Sequence, residues 1–429
     1  SPNGLAALSD PMTTVPANRP QRFIRIEKPV SLPSDDVYDF DNTAFGVNAG
    51  QLMREILGYT PIEPDGSVKV VVPANVAFGI SVLDEKGQRT GSRHLNWLQV
   101  APGETVECIG CHTGNSEIPH GRAEAEPDAV NAGAVTSGIP FPNTDPALFA
   151  DMGETMAETY ARINEVRRLT PDIIFDDEWT DPSSSPAASF SYAYSDLEST
   201  PPINAGCAEN WTSLCRVMIN YEDHIHPLWS VNREVLDVDE ITVIEDNTCT
   251  SCHSNIDDMD AARVPDKQLD LSDGASDQEG ATDRFKSYQE LLNGDSEVEL
   301  VDGILENVLR ETGGVVMEPQ TDENGITVLD DDGNPVMVPK LIILVDEDDE
   351  PVLDDDGNTQ FVTVPETVEV PVSPSMNAAG ARNSTVFMNR FETGQSHAGY
   401  LSSSELKLIS EWLDLGAQYY NNPFDAPAN

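Results

Sequence analysis

The sequence predicts an α+β fold: a small β-sandwich-like domain, followed by a more helical domain that carries an inserted pair of acidic β-hairpins. Three observations predict it. Apolar alternation recurs in short runs between residues 67 and 100. A capped amphipathic helix ends the chain, starting at Ser402, Ser403, Ser404 and Glu405 and stopping at Gly416. Between them the run from Val328 to Asn334 recurs from Val352 to Asn358, each copy holding three aspartates, a glycine and an asparagine, which are turn residues.

Taken in order, residues 1–36 are rich in Pro, Asn and Ser and read as an extended N-terminal segment that lies over a neighbour. Residues 37–147 form the β-rich domain. Its strands are 67–73 and 77–84, the latter followed by a turn at Glu85, Lys86 and Gly87, and a third at 95–100. Residues 148–220 are a connecting segment: a helix over 152–169 with Met156, Tyr160, Ile163 and Val166 on one stripe, a short strand at 171–175, then Cys207 and Cys215. These two cysteines read as a disulfide-closed loop, with two free thiols as the alternative. Residues 221–429 are the helical domain, with a helix over 285–292 and the hairpin insertion over 295–372. Within 322–366 there are 14 acidic residues against one lysine, so the hairpin tips are acidic. Solvated turns are the first reading of those tips and calcium the second, since the spacing lacks the terminal glutamate of an EF-hand loop. In the last helix Leu406, Leu408, Ile409, Trp412, Leu413 and Leu415 make a broad apolar face.

The chemistry is concentrated in two copies of one motif, Cys108-x-x-Cys111-His112 and Cys249-x-x-Cys252-His253. Two thiols at this spacing add across the vinyl groups of a haem while the adjacent imidazole reaches the iron. A zinc site or a redox-active dithiol would use the cysteine pairs but has no need of the histidine that follows each. The cofactors expected are therefore two covalently bound haem c groups, with His112 and His253 as proximal ligands, and the helical domain reads as cytochrome c-like. Small cytochrome c domains place the sixth ligand between the motif and the last helix, which selects His397 for the second haem. His226 and His224, just upstream of the motif, are the alternatives, with Met376 and Met388 behind them. For the first haem the choices are His120, His94 or an open position.

With 24 Lys and Arg against 75 Asp and Glu, the formal net charge is -51. Such a field repels nucleic acid and anionic membrane surfaces, and it suits a salty medium or a basic partner. No apolar run reaches the roughly 20 residues of a membrane span. The chain opens at Ser1 with no signal segment, and haem c is attached outside the cytoplasm. The expectation is a protein whose signal peptide has been removed, in the periplasm or outside the cell. Two strong axial ligands on each iron give an electron carrier, so the function expected is an exported dihaem cytochrome relaying electrons between redox partner proteins. An open first haem gives an enzyme acting on a small nitrogen or oxygen compound. Self-assembly into an extracellular electron-conducting array is the third reading.

From residue 37 to 424, outside the acidic insertion, the chain resembles the haem-bearing part of the hydrazine synthase alpha subunit family. The resemblance lies in residues 58–67, 98–104, 220–229 and 411–420. It implies a first haem at Cys108, Cys111 and His112 of catalytic type, and a second at His253 with two histidine ligands that passes electrons, His397 being the partner. The family places a β-propeller ahead of this region, for which the chain has no room, and a tyrosine ligand shortly after the first attachment histidine. Residues 113–117 contain no tyrosine, so the expectation is electron transfer rather than hydrazine chemistry.

Overall fold

In a computed structural model of the chain, the residues described are 7–40, 42–47, 53–93, 96–108, 131–239, 241–276, 282–323, 325–330, 332–346, 350–354 and 356–428. The chain divides into two units, one of residues 1–253, 269–293 and 374–429, the other of residues 254–268 and 294–373. The expected boundaries at 36, 147 and 220 all fall inside the first unit.

The first unit is built on a three-stranded antiparallel sheet. Strand β1 (Phe23–Pro29) lies between β2 (Arg54–Pro61) and β3 (Gly79–Leu83), with Ile26 opposite both Gly58 and Ile80. The side-chain period of two sends Ile24 and Ile26 to one face, against Leu57 and Phe78. Phe23, Arg25 and Glu27 face the other way, all buried. The N-terminal segment is therefore not simply an extended lead-in: it supplies the middle strand. Alternating charges in this stretch hide the strand, because Arg25 and Glu27 look like solvent-facing residues until they are seen to pair at 2.9 Å.

The β-sandwich-like arrangement is not found among the described residues. Of the alternating run 67–73, only Val70–Val71 pairs, in parallel with Arg167–Arg168, and the run 95–100 contributes one bridge, Phe78 to Leu98. Pro73 has no amide hydrogen to continue a ladder, which limits the first of these. The architecture is mixed α and β with mostly two-stranded sheets.

The terminal helix, Ser403–Leu415, forms as its sequence dictates. Ser402 and Glu405 make a reciprocal capping box, and Gly416 closes the helix in the left-handed region at φ 111°. Its apolar residues Leu408, Ile409, Trp412 and Leu413 join Tyr221, Trp229, Tyr288 and Tyr419 in the main core. Each such side chain contributes about 1.5–3 kcal/mol when removed from water. The opposite face is buried too, and there the helix carries Lys407, Glu411 and Asp414. Glu411 pairs with Lys407 at 2.8 Å and accepts hydroxyl hydrogen bonds from Tyr59 and, at 2.8 Å, from Tyr194. Asp414 pairs with Arg25 of the sheet at 3.2 Å. The helix is thus wedged between an aromatic core and an ionic one.

In the second unit, short hairpins branch from one another. Val298–Val301 pairs with Ile304–Asn307, and the stem Leu309–Val315 pairs with Pro365–Glu369. Beyond that stem lie two arms, Met317–Pro319 with Met337–Pro339 and Leu341–Ile343 with Phe361–Thr363. At the fork a closed ring of three backbone hydrogen bonds joins Val316, Lys340 and Val364, at 2.9, 2.8 and 3.0 Å. The same three-way ring recurs at Gln320, Val328 and Val336, and again at Leu344, Val352 and Gln360. The sequence repeat closes two of the tips. Asp330 accepts from the Asn334 amide at 2.9 Å and Asp354 from the Asn358 amide at 2.8 Å, so the acid at each tip is a turn-making residue.

Candidate functional site

The second Cys-x-x-Cys-His motif is a single helical turn, Cys249–Cys252, entered from the hairpin Glu234–Leu236 with Val243–Asp246. A spacing of three residues on a helix sets the two sulphurs on one side. Ser251 tightens the turn by donating its hydroxyl to the Thr248 carbonyl at 2.7 Å, and the His253 amide donates to the Cys249 carbonyl at 2.9 Å. Cys249 rests against the main core, where burial pushes its thiol up to about 11, while Cys252 is exposed. Arg233 ties this turn to the terminal helix. Its amide donates to Thr248 Oγ1 at 2.9 Å, the Asn247 amide donates to its carbonyl, and its guanidinium reaches Glu405 at 2.6 Å.

Facing the turn is the segment 389–400. Here the His397 amide donates to the Arg390 carbonyl at 3.0 Å, and His397 Nδ1 lies 2.7 Å from Ser396 Oγ. Phe391 and Tyr400 meet the ring edge-to-face at 5.8 and 5.2 Å. The ring centres of His253 and His397 are 6.1 Å apart with their planes within 26°. An imidazole nitrogen lies about 1 Å from its ring centre and bonds a metal at about 2 Å, so two imidazoles on opposite sides of one metal have centres about 6 Å apart. Burial, then the neighbouring His253 and Arg390, hold His397 below the usual histidine range, which favours the neutral, ligating form.

The other histidines are placed differently. His226 has both nitrogens engaged, Nε2 with Asp273 at 2.7 Å and Nδ1 with Ser287 at 3.0 Å, and its ring meets Phe285 edge-on. This Asp-His-Ser order is not a nucleophile relay, because Ser287 is wholly buried and shares its hydroxyl with Tyr221. His224 Nδ1 accepts from the Asn220 amide at 3.0 Å, and burial lowers its pKa. Met376 and Met388 are both packed into the main core. Of the first motif, Cys108 is exposed, and Cys111, His112, His120 and His94 lie outside the described residues.

Cys207, within a short helix, Ala205–Glu209, capped by Asn204, forms a disulfide with Cys215 at an S–S distance of 2.09 Å. Among the described residues, no group of three or more His, Cys, Asp or Glu side chains is arranged to hold a bare metal ion. At the hairpin tips Asp330 and Asp354 accept from backbone amides, which hold them below the usual carboxylate range. No helix among the described residues is long and apolar enough to cross a membrane. Sequence reasoning did not single out Arg233 or Ser396. Ser396 is adjacent to His397 and open to inspection, whereas nothing local marks Arg233 as the partner of Glu405.

Comparison with known proteins finds a match over one part of the chain. Residues 13–113 match the hydrazine synthase alpha subunit middle domain, a span that includes all three strands of the sheet and ends just after His112. Over that segment the chain is similar to the hydrazine synthase alpha subunit. A solved structure of Kuenenia stuttgartiensis hydrazine synthase aligns over 96% of this chain and 41% of that one, at 15% identity and a TM-score of 0.38. The chain thus spans less than half the length of that structure. No curated protein matches it.

Proposed function

We propose that the chain is a c-type cytochrome that relays single electrons, with one haem held by Cys249, Cys252, His253 and His397. The observation that carries this reading is the facing of His253 and His397 at the spacing two imidazoles take across one metal. The donor set fits: two sulphurs on one helical turn for the covalent links, and two rings set nearly parallel. A haem iron between two imidazoles exchanges electrons while leaving no position open to substrate. The chain's own residues fix the ligands. Ser396 holds Nδ1 of His397, Phe391 and Tyr400 limit its rotation, and Arg233 anchors the attachment turn to Glu405. The chain's formal net charge of -51 favours the oxidised state and lowers its potential.

Cys108, Cys111 and His112 hold a second haem by the same chemistry, which makes the protein dihaem, exported to the periplasm or beyond, and served by redox partner proteins. A second reading, a haem redox enzyme acting on a small nitrogen or oxygen compound, attaches to this first motif alone. It is favoured by the family match, which ends at that motif.

Absorption and EPR spectra of the purified protein, with and without carbon monoxide, test both readings. Electron relay requires a low-spin haem indifferent to carbon monoxide that becomes high-spin and reactive in His397→Ala. A His397→Ala variant with the wild-type spectrum overturns the ligand assignment. A carbon monoxide-binding haem in the wild type, lost on Cys108→Ser/Cys111→Ser, establishes an open first haem and the enzyme reading.

A further inference from the structure

Residues 294–373 carry 22 acidic side chains against two basic ones, Arg310 and Lys340, and none of those described is buried. Among the described residues every ladder there has two strands. A two-stranded ribbon with no core packed against it is marginally stable in water, so a further strand that covers it stabilises it. The arm of Leu341–Ile343 with Phe361–Thr363 is apolar on both faces. Leu341, Ile343 and Phe361 share one face and are 53, 48 and 56% exposed, and Ile342 and Val362 share the other.

The two arms beyond the stem are built alike and differ at their edges. Antiparallel ladder bonds alternate, so the bonds that close each arm fix which residues turn their backbone inward. In the first arm the Gln320 amide donates to the Val336 carbonyl at 2.8 Å, which makes Glu318 and Val338 the inner pair and points the backbone of Met317, Pro319, Met337 and Pro339 outward. Pro319 and Pro339 have no amide hydrogen, so both outer edges of this arm lack a donor, a pattern that guards an edge against pairing. In the second arm the Leu344 amide donates to the Gln360 carbonyl at 2.9 Å, which makes Ile342 and Val362 the inner pair. The outward positions equivalent to the two prolines are Ile343 and Thr363, and both keep their amide hydrogens. One arm is closed to a further strand and the other is open.

We propose that the arm of Leu341–Ile343 with Phe361–Thr363 is a docking edge for a partner protein, which adds an extended segment of alternating basic and β-branched residues as a further strand. Backbone groups on the open edge give such a segment its hydrogen bonds, and the apolar faces give it area to bury. The charge selects the partner. Beyond the ring of Leu344, Val352 and Gln360 the arm ends in two turns, with exposed Asp346 and Glu350 on one and Asp354 and Asp356 on the other. Lysine suits both surfaces, since its stem covers Ile342 or Val362 while its ammonium group reaches the acidic turns. A second copy of the chain would bring the same acidic unit against this one and is repelled.

The test uses the full chain as purified and a labelled synthetic peptide of about ten residues that alternates valine with lysine. Fluorescence anisotropy follows its binding to the wild type and to two double variants. Ile343→Pro/Thr363→Pro gives this arm the proline pattern of the other and changes no charge. Glu350→Gln/Asp356→Asn removes charge and leaves the turn acceptors Asp346 and Asp354 in place. The expected result is saturable binding to the wild type, weakened roughly tenfold or more in both variants. Equal binding to the wild type and the proline variant would reduce the contact to charge attraction and overturn the proposal. So would a concentration-dependent dimer of the wild type that the proline variant loses, since the edge would then take a second copy. Amide exchange at Ile342 and Val362 checks that the proline variant keeps its ladder. If that ladder is lost, exchange in the wild type decides: bound peptide should slow it at Leu341 and Ile343 or at Phe361 and Thr363, and no slowing at either edge overturns the proposal.

Discussion

The protein uses its acidic residues in two different ways, and the contrast is plainest between the buried acids of the first unit and the hairpin tips of the second. In the first, Glu27, Glu411 and Asp414 are each about 1% exposed and are held by arginine, lysine and tyrosine. In the second, residues 322–366 carry 14 acids and one lysine, and the described acids at the tips accept mainly from backbone amides of their own turns. A buried acid specifies which distant segments meet. An exposed one at a tip shapes a turn and contributes charge. The first kind makes stability sensitive to single substitutions, and the second makes a surface that tolerates them.

The largest expected effect is at Glu411. Glu411→Leu leaves Lys407 buried without its partner and removes the acceptor of Tyr59 and Tyr194, which should cost about 3–5 kcal/mol in urea unfolding. Pairing it with Lys407→Met removes the orphaned charge and should recover a large part of that loss, leaving the two hydroxyls as the remainder. Equal losses in single and double variants would mean that the ionic core contributes through the tyrosines and not through the ion pair.

The next effect is on acid stability. Burial alone would raise Glu27, but Arg25, Ser81 and Arg54 outweigh it and hold the carboxyl below the usual glutamate range. A carboxylate depressed in the folded state stabilises fully above its unfolded pKa, and that contribution is lost as pH falls through the lower, folded value. Unfolding free energy measured from neutral pH downward should therefore fall in the acid range. Glu27→Gln should flatten that fall while lowering stability at pH 7. A variant with an unchanged pH profile would show that Glu27 is not the linked group.

Removal of the hairpins sharpens the contrast from the other side. Asp295 and Val372 are cross-strand partners, so residues 295–372 can be replaced by a short glycine link without stretching the chain. Since shortening a loop costs little and slightly reduces its closure entropy, the first unit should keep its melting temperature, and any haem spectrum with it. A collapse of either would assign the hairpins a structural part that their exposed acids do not suggest.

Local signals were the legible ones. The capping box at Ser402 and Glu405, the stop at Gly416, the Asp-Gly-Asn tips, and the helical turn at Cys249 and Cys252 depend on residues within a few positions of one another. The facing of His253 and His397 was reachable because few histidines lie between the motif and the last helix. The strand Phe23–Pro29 was not legible, because its charged residues only make sense beside Asp414, which is 389 positions from Arg25. The ionic core is hidden for the same reason: a helical wheel shows Lys407, Glu411 and Asp414 as a polar face but not that it is buried.

The smallest expected effect lies at a tip. Gly333 adopts φ 84° with no atom near the place a Cβ would occupy, so Gly333→Ala meets a conformational penalty and no clash. The left-handed region costs a non-glycine residue about 1 kcal/mol, and the tip is closed by the Asp330 turn and one bridge, Leu329 to Pro335. Loss of that tip should stop at the ring of Gln320, Val328 and Val336, because each such ring closes its hydrogen bonds without help from beyond the fork. Amide exchange should quicken in residues 329–335 and stay unchanged at Gln320 and in the terminal helix. Faster exchange in the helix as well would show that exposed turns and buried ion pairs belong to one cooperative unit, and the division between the two uses of acid would then be one of chemistry alone.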